Sequence, residues 1–254
     1  MEETRKTILI TGGSGLIGKE LTHHFLKSGW NVIATTYQKR SAEQLQKYFC
    51  DFDSLRVIQS DLNDNQSAET LRNKIEDRSD LPYAIINNAR SLDHLETDSK
   101  GQVSREHFAS ELTLDVIVPY EISMEFGMAP GSPLKKILNV SSMYGVVAAN
   151  RELYTNYERQ SPLHYSVSKA AVIHLTKELA VRFAPLEIDV NCISLGGIAG
   201  RVDDQFMERY SKLCPNGRML QKAEISQHVD YLVSPQTSGL TGHNLIVDGG
   251  WTTW

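Results

Sequence analysis

The chain has 254 residues, 41% of them hydrophobic and 22% charged, with a formal net charge of −5. That length and apolar fraction suffice for one fully cored α/β domain, while the negative balance argues against a general nucleic-acid binder. No apolar run is long enough to span a membrane, the start Met1-Glu2-Glu3-Thr4-Arg5-Lys6 is charged without a signal segment, and Cys50, Cys192 and Cys214 are too dispersed to ligate a metal. The expectation is a cytoplasmic protein with buried free thiols.

In chain order, Lys6-Thr7-Ile8-Leu9-Ile10 is a short apolar, β-branched run of the kind that forms a buried parallel strand. It enters Thr11-Gly12-Gly13-Ser14-Gly15-Leu16-Ile17-Gly18. A helical pattern follows, with Ile17, Leu21 and Phe25 spaced by four and Gly29 placed to end it. Glycines in a strand–turn–helix unit permit the tight turn, let backbone approach a pyrophosphate and bring helix close to sheet, while the helix N-terminus offers unpaired amides to the phosphates. Strand-like runs recur at 30–36, 55–60, 83–87, 136–140, 188–193 and 244–247 between helical stretches. This alternation predicts a Rossmann-type α/β fold: a doubly wound parallel sheet with helices on both faces, in a single domain over 1–254.

Tyr165 and Lys169 stand four apart in Leu163-His164-Tyr165-Ser166-Val167-Ser168-Lys169, on one face of a predicted helix. A phenol titrates near ~10, so using it at neutral pH means a displacement of roughly three units, or about 4 kcal/mol. One positive charge at about 4 Å supplies that much at an effective dielectric near 20. A tyrosine acid/base is therefore chemically reasonable, although the same spacing also occurs between solvated side chains on surface helices.

The glycine turn, Asp61-Leu62, Asn87-Asn88-Ala89, Asn139-Val140-Ser141-Ser142-Met143-Tyr144-Gly145, the Tyr165/Lys169 pair, Asn191-Cys192-Ile193-Ser194-Leu195-Gly196-Gly197-Ile198 and the tail Val247-Asp248-Gly249-Gly250 occur in one order. In that order they resemble the short-chain dehydrogenase/reductase family, compact single-domain branch, over roughly residues 7–254. The resemblance implies an oxidoreductase that passes hydride between nicotinamide and an alcohol or ketone. Tyr165 would be the acid/base, Ser142 would orient the substrate oxygen (with Ser141 structural), and Lys169 would favour the tyrosinate and hold the nicotinamide ribose. It places the cofactor against Gly12, Ser14, Gly15, Leu16, Ile17, Gly18, Thr36, Lys39, Asp61, Leu62, Asn88, Ala89, Tyr165, Lys169, Gly197 and Ile198, and it implies a homo-oligomer, a tetramer or dimer.

Several positions depart from the family pattern. The glycines at 12, 15 and 18 have the spacing of its larger sugar-nucleotide branch. Arg90 replaces the glycine that usually closes the Asn-Asn-Ala motif, and Leu195 replaces a proline. Aligning Phe108 and Pro119 puts Asp115 at the place of the active-site asparagine; an ionised aspartate cannot donate as an amide does and is expected to compete with Tyr165 for the Lys169 ammonium. The second strand ends at Thr36 without the acid that usually accepts from the ribose hydroxyls, and Lys39 and Arg40 follow, so the reading leans to NADP over NAD. Two loops, at about 146–162 and 198–220, carry substrate information. The stretch 151–159 is polar and aromatic, and 201–218 is charged and partly helical where the family keeps its lid, which together favour a polar, carbohydrate-like substrate. The tail Val247-Asp248-Gly249-Gly250-Trp251-Thr252-Thr253-Trp254, the glycine turn and the long loop between Ser142 and Tyr165 also look like the flagellin-modification, nonulosonic-sugar subgroup, with Trp251 and Trp254 read as core or interface. A catalytically silent nicotinamide sensor or scaffold is the alternative, and epimerisation a more distant one.

Overall fold

The computed structural model describes residues 5–75 and 80–254, so the charged opening Met1 to Thr4 lies outside it. The apolar runs become β1 (Thr7–Ile10), β2 (Asn31–Thr36), β3 (Leu55–Gln59), β4 (Ala84–Asn87), β5 (Lys136–Ser142), β6 (Asp189–Leu195) and β7 (Asn244–Val247). All pair in parallel, in the order β3-β2-β1-β4-β5-β6-β7. Each expected run lies within two residues of an observed strand.

Alternation along the strands sorts side chains between two helical layers. Ile8 and Ile10 of β1 pack with Leu21 and Phe25 of α1 (Leu16–Lys27), Leu45 of α2 (Lys39–Tyr48) and Val229 of α9 (Lys222–Val233). Leu9, between them, points to the opposite layer with Leu71 of α3 (Ser67–Lys74), Ile122 and Phe126 of α5 (Val118–Gly127) and Leu179 and Phe183 of α7 (Leu163–Phe183). Strands buried on both faces read as continuous apolar runs, which is why these were visible in the sequence. Gly29 has φ of 81° directly after the Ser28 cap, ending α1 as its position foretold.

Downstream come α4 (Arg105–Leu112), α5 (Val118–Gly127), α6 (Tyr157–Gln160), α7 (Leu163–Phe183), α8 (Asp204–Leu213) and α9 (Lys222–Val233). Between α4 and α5 the helix widens into a π turn over Thr113–Ile117. Pro119 has no N–H to return to the preceding turn, and its ring crowds the carbonyl four residues back, which favours such widening just upstream. Leu195 keeps the donor a proline would lack and stays in the ladder opposite Val247, so β6 runs on to the edge of the site. Of the three cysteines, Cys192 and Cys214 are buried as expected but Cys50 is exposed, because it follows the last turn of α2 on the surface.

Candidate active site

β1 has β2 on one side and β4 on the other, so the chain winds away in both directions and leaves a crevice at the strands' C-terminal ends. The glycine turn forms one wall. Gly12 has φ of 67°, and a Cβ there would lie 2.8 Å from the Ala89 Cα; a Cβ on Gly18 would overlap the Gly12 carbonyl oxygen. Bare backbone is therefore required at both positions. The turn is tied to β4 through Thr11, a residue the motif reading passed over. Its Oγ1 accepts from the Asn88 and Ala89 amides at 2.9 and 3.0 Å, while Asn88 Nδ2 donates to the Thr11 carbonyl at 2.9 Å.

The crevice is a cavity of about 690 Å³. It brings together Gly12, Ser14, Gly15, Leu16, Ile17, Gly18, Thr36, Asp61, Leu62, Asn88, Ala89, Gly197 and Ile198 with Ser142, Tyr165 and Lys169. Lys39 is not among its walls: it opens α2 as an exposed side chain, because β2 ends at Thr36 and the chain turns away through Tyr37 and Gln38. Tyr37, not foreseen, lines the cavity in that region.

At the reactive end, Ser142 sits at the tip of β5 and its Oγ accepts from the Tyr144 amide at 3.2 Å, so the hydroxyl also pins its own turn. Ser141 is structural, donating to the Lys169 carbonyl at 2.7 Å. Among the described residues the hydrogen bonds of Tyr165 are main-chain ones, leaving its phenol to the cavity. Lys169 Nζ donates to Asp115 Oδ1 at 2.8 Å and to the Val140 carbonyl at 3.2 Å, which leaves one of its three N–H bonds for a ligand. Burial works against this ammonium, yet the Asp115 carboxylate overrides it and holds Lys169 above the ordinary lysine range. Asp115 does not face the cavity; it lies behind Lys169, 4% exposed, with Oδ2 accepting from Ser168 at 2.7 Å.

Glu111 and the Tyr144 hydroxyl escape the sequence reading, whereas Arg90 is a marked departure from the family pattern and Tyr154 belongs to the polar, aromatic stretch. Arg90, an exposed side chain, nevertheless stacks its guanidinium 4.3 Å from the centre of the Tyr165 ring. Tyr144 and Tyr154 hydroxyls meet at 2.6 Å on the cavity wall, and burial raises both phenols so that they remain neutral donors. Glu111, on the last turn of α4, is 4% exposed with Oε1 unpartnered. Burial first, then the nearby Asp115 charge, push its carboxyl up to about 7, against the pull of Arg90 and Lys169.

That shift has a definite sign for stability. Between pH 4.5 and 7 the unfolded chain releases the Glu111 proton while the folded one keeps it, so rising pH destabilises the wild type across that window and the penalty is constant above it. Glu111→Gln should melt with the wild type near pH 4.5 and about 5 °C above it at pH 8. Thermal denaturation at the two pH values checks this; equal melting temperatures at pH 8 contradict it.

The two substrate loops differ from expectation. Of residues 151–159 only Tyr154 lines the cavity. Arg151 pairs with Glu158 on the surface, Leu153 is fully buried, and its carbonyl accepts from Arg209 of α8 at 2.8 Å. The charges of α8 also face outward, as in the exposed Lys212–Glu208 pair, while Phe206 and Tyr210 point inward. An amphipathic helix at a cavity rim buries its apolar stripe, whereas Arg201, ahead of α8 in the same charged segment, does line the cavity. Trp251 is core, stacked 4.5 Å from Tyr210, whereas Trp254 is 77% exposed, its indole donating to the Leu213 carbonyl.

A parallel sheet whose switch point holds a phosphate-binding glycine turn beside a serine, tyrosine and lysine defines a nicotinamide-dependent dehydrogenase or reductase. A family model described as Enoyl-(Acyl carrier protein) reductase matches residues 14–252. An uncharacterized oxidoreductase, YmfI, of Bacillus subtilis (strain 168) is 30% identical over 256 residues, covering 97% of this chain and 98% of the relative. A short-chain dehydrogenase from Leptospira borgpetersenii, solved with bound NAD+, superposes with a TM-score of 0.85 at 30% identity, over 98% of this chain and 93% of that one. The chain belongs to the short-chain dehydrogenase/reductase family of NAD(P)-dependent oxidoreductases. The flagellin-modification subgroup has narrower support: the post-translational flagellin modification protein A of Campylobacter coli is 39% identical, but over 115 residues, 45% of each chain.

Proposed function

We propose that this protein passes hydride between NADP or NAD and a polar, carbohydrate-like alcohol or ketone, with Tyr165 as the proton-transferring group. The observation that carries the reading is the convergence of Ser142, Tyr165 and Lys169 on one end of the cavity whose other wall is the glycine turn. The residues present fit a dinucleotide: Gly12 and Gly18 let the turn close on itself and pack against Ala89, which holds bare backbone at the cavity wall, and Lys169 retains one free donor. When bound, the nicotinamide supplies the hydride acceptor or donor. Ser142 Oγ orients the substrate oxygen, Tyr165 Oη moves its proton, and Lys169 holds the ribose. Asp115 fixes the ammonium from behind. α8, with Phe206 and Tyr210 facing in, excludes water.

The preference for NADP rests on Thr36, since β2 ends without a carboxylate to accept from the adenosine ribose hydroxyls; Lys39 lends it no support. Tyr144, Tyr154, Arg90 and His94 on the cavity wall support a polar substrate, and the partial flagellin-modification relative fits a nonulosonic-type sugar precursor. The domain over 1–254, the loops at 146–162 and 198–220, a cytoplasmic location, and a tetramer or dimer complete the reading. No described helix is long and apolar enough to cross a membrane.

The test is absorbance of reduced nicotinamide with both cofactors against polyols, keto sugars, sugar phosphates and long-chain ketones. Turnover confined to the polar members supports the proposal, while turnover confined to the long-chain ketones refutes the substrate class. If nothing turns over and Tyr165→Phe alters only cofactor affinity, the protein is a silent nicotinamide sensor or scaffold.

A further inference from the structure

Lys169 does not offer Tyr165 an uncompensated charge. Its ammonium is 2.8 Å from the buried Asp115 carboxylate and 5.7 Å from the centre of the Tyr165 ring. A cation and an anion that close present to a third group only a dipole, whose field decays faster with distance than that of a lone charge. A second cation stands nearer: the Arg90 guanidinium carbon lies 4.3 Å from the centre of the same ring. Among the described residues Arg90 takes part in no ion pair. The other carboxyl whose field reaches it, Glu111, is pushed up to about 7, so it is neutral below that pH and opposes Arg90 with a negative charge above it.

We propose that Arg90 supplies the positive charge that stabilises the Tyr165 phenolate, in place of the charge that Asp115 withdraws from Lys169. The arginine after β4 and the aspartate of the π turn then form one compensating arrangement, either half of which alone would unbalance the site. A cation over an aromatic face is attracted to the ring's negative face, and more strongly once the ring carries an anionic oxygen. Arg90 touches the ring and not the reacting oxygen, so it is a positioning residue that acts through Tyr165. The inference rests on the reading of Tyr165 as the acid/base.

The charged and titratable groups around Tyr165 come from six elements. Lys169 lies on its own helix, Glu111 on α4, Asp115 on the π turn, Arg90 beyond β4, Tyr144 beyond β5 and Tyr154 in the stretch 151–159. Burial keeps the two tyrosines neutral, and the Asp115–Lys169 pair cancels most of its own field, which leaves Arg90 as the unpaired cation stacked on the phenol ring, opposed above about pH 7 by the Glu111 carboxylate.

The test needs no substrate. Near-ultraviolet phenolate absorbance is followed against pH for the wild type, Arg90→Gln, Arg90→Lys, Asp115→Asn and Arg90→Gln/Asp115→Asn. Each is measured with saturating NADP+ and again with Tyr165→Phe added, and the difference isolates the Tyr165 signal. The midpoint should rise by about one pH unit in Arg90→Gln and fall by about as much in Asp115→Asn. The double variant should return to within about a third of a unit of wild type, and Arg90→Lys should shift less than half as far as Arg90→Gln. An unmoved midpoint in Arg90→Gln overturns the proposal, even if that variant weakens binding of an anionic substrate. Failure of the underlying reading would look different: the wild type would turn nothing over, or the Tyr165→Phe protein would keep its turnover, whatever the midpoints did.

Discussion

Tyr165→Phe lowers kcat by about a thousandfold or more while leaving the melting temperature within about 1 °C of wild type. The two halves of this expectation have separate structural grounds. The phenol hydroxyl makes no hydrogen bond to a described residue, so removing it orphans no partner. The ring that Arg90 stacks upon and that fills the wall of the cavity is preserved. What disappears is the phenol proton: Ser142 Oγ accepts from the Tyr144 amide and keeps its own proton for orienting the substrate oxygen, and the Lys169 ammonium is turned toward Asp115 and Val140 with one N–H left over. Cofactor affinity should change less than about twofold. Steady-state kinetics and calorimetry on the same preparation read both halves, and a variant that keeps a tenth of wild-type kcat sinks the assignment.

Lys169→Met produces the largest loss of stability expected for a single substitution at the site, about 3–5 kcal/mol or roughly 10 °C in melting temperature. Asp115 is 4% exposed, and without the ammonium its carboxylate retains only the Ser168 hydroxyl. The cost comes from the stranded anion more than from the lost attraction. Lys169→Met/Asp115→Asn, which removes that anion, should therefore recover more than half of the melting temperature while recovering no turnover, since the ribose-facing donor is still missing. Thermal denaturation of the two proteins at pH 7 decides it: equal melting temperatures would show that the pair is not coupled as its geometry requires.

The sheet was legible because both faces of every central strand are covered, so burial wrote itself as unbroken runs such as Thr7-Ile8-Leu9-Ile10. The glycine turn was legible for a related reason, since no side chain fits at 12 or 18. Ser142, Tyr165 and Lys169 were readable only in combination, and their role as one group came from family resemblance, because nothing in their spacing shows that β5 and α7 meet. Glu111 was hidden: in Arg105-Glu106-His107-Phe108-Ala109-Ser110-Glu111-Leu112 a glutamate reads as one more solvated side chain. It lies buried at the end of α4, just ahead of the π turn that carries Asp115 behind Lys169. Lys39 and the charges of α8 failed for the opposite reason. Local composition reported charge correctly but not direction, and a helix rim turns such residues away from the cavity it borders.

The strand order has a kinetic consequence. β1 hydrogen-bonds β4 across a separation of about 75 residues, and the cavity takes the glycine turn from one side of that seam and Ser142, Tyr165 and Lys169 from the other. Neither half of the chain can grip a dinucleotide before the seam closes, and closing contacts so distant in sequence is a slow step. A ligand that recognises only the finished sheet cannot hasten its assembly. Its binding free energy is added to the native state alone, so it lengthens the lifetime of the folded protein by slowing the parting of β1 from β4.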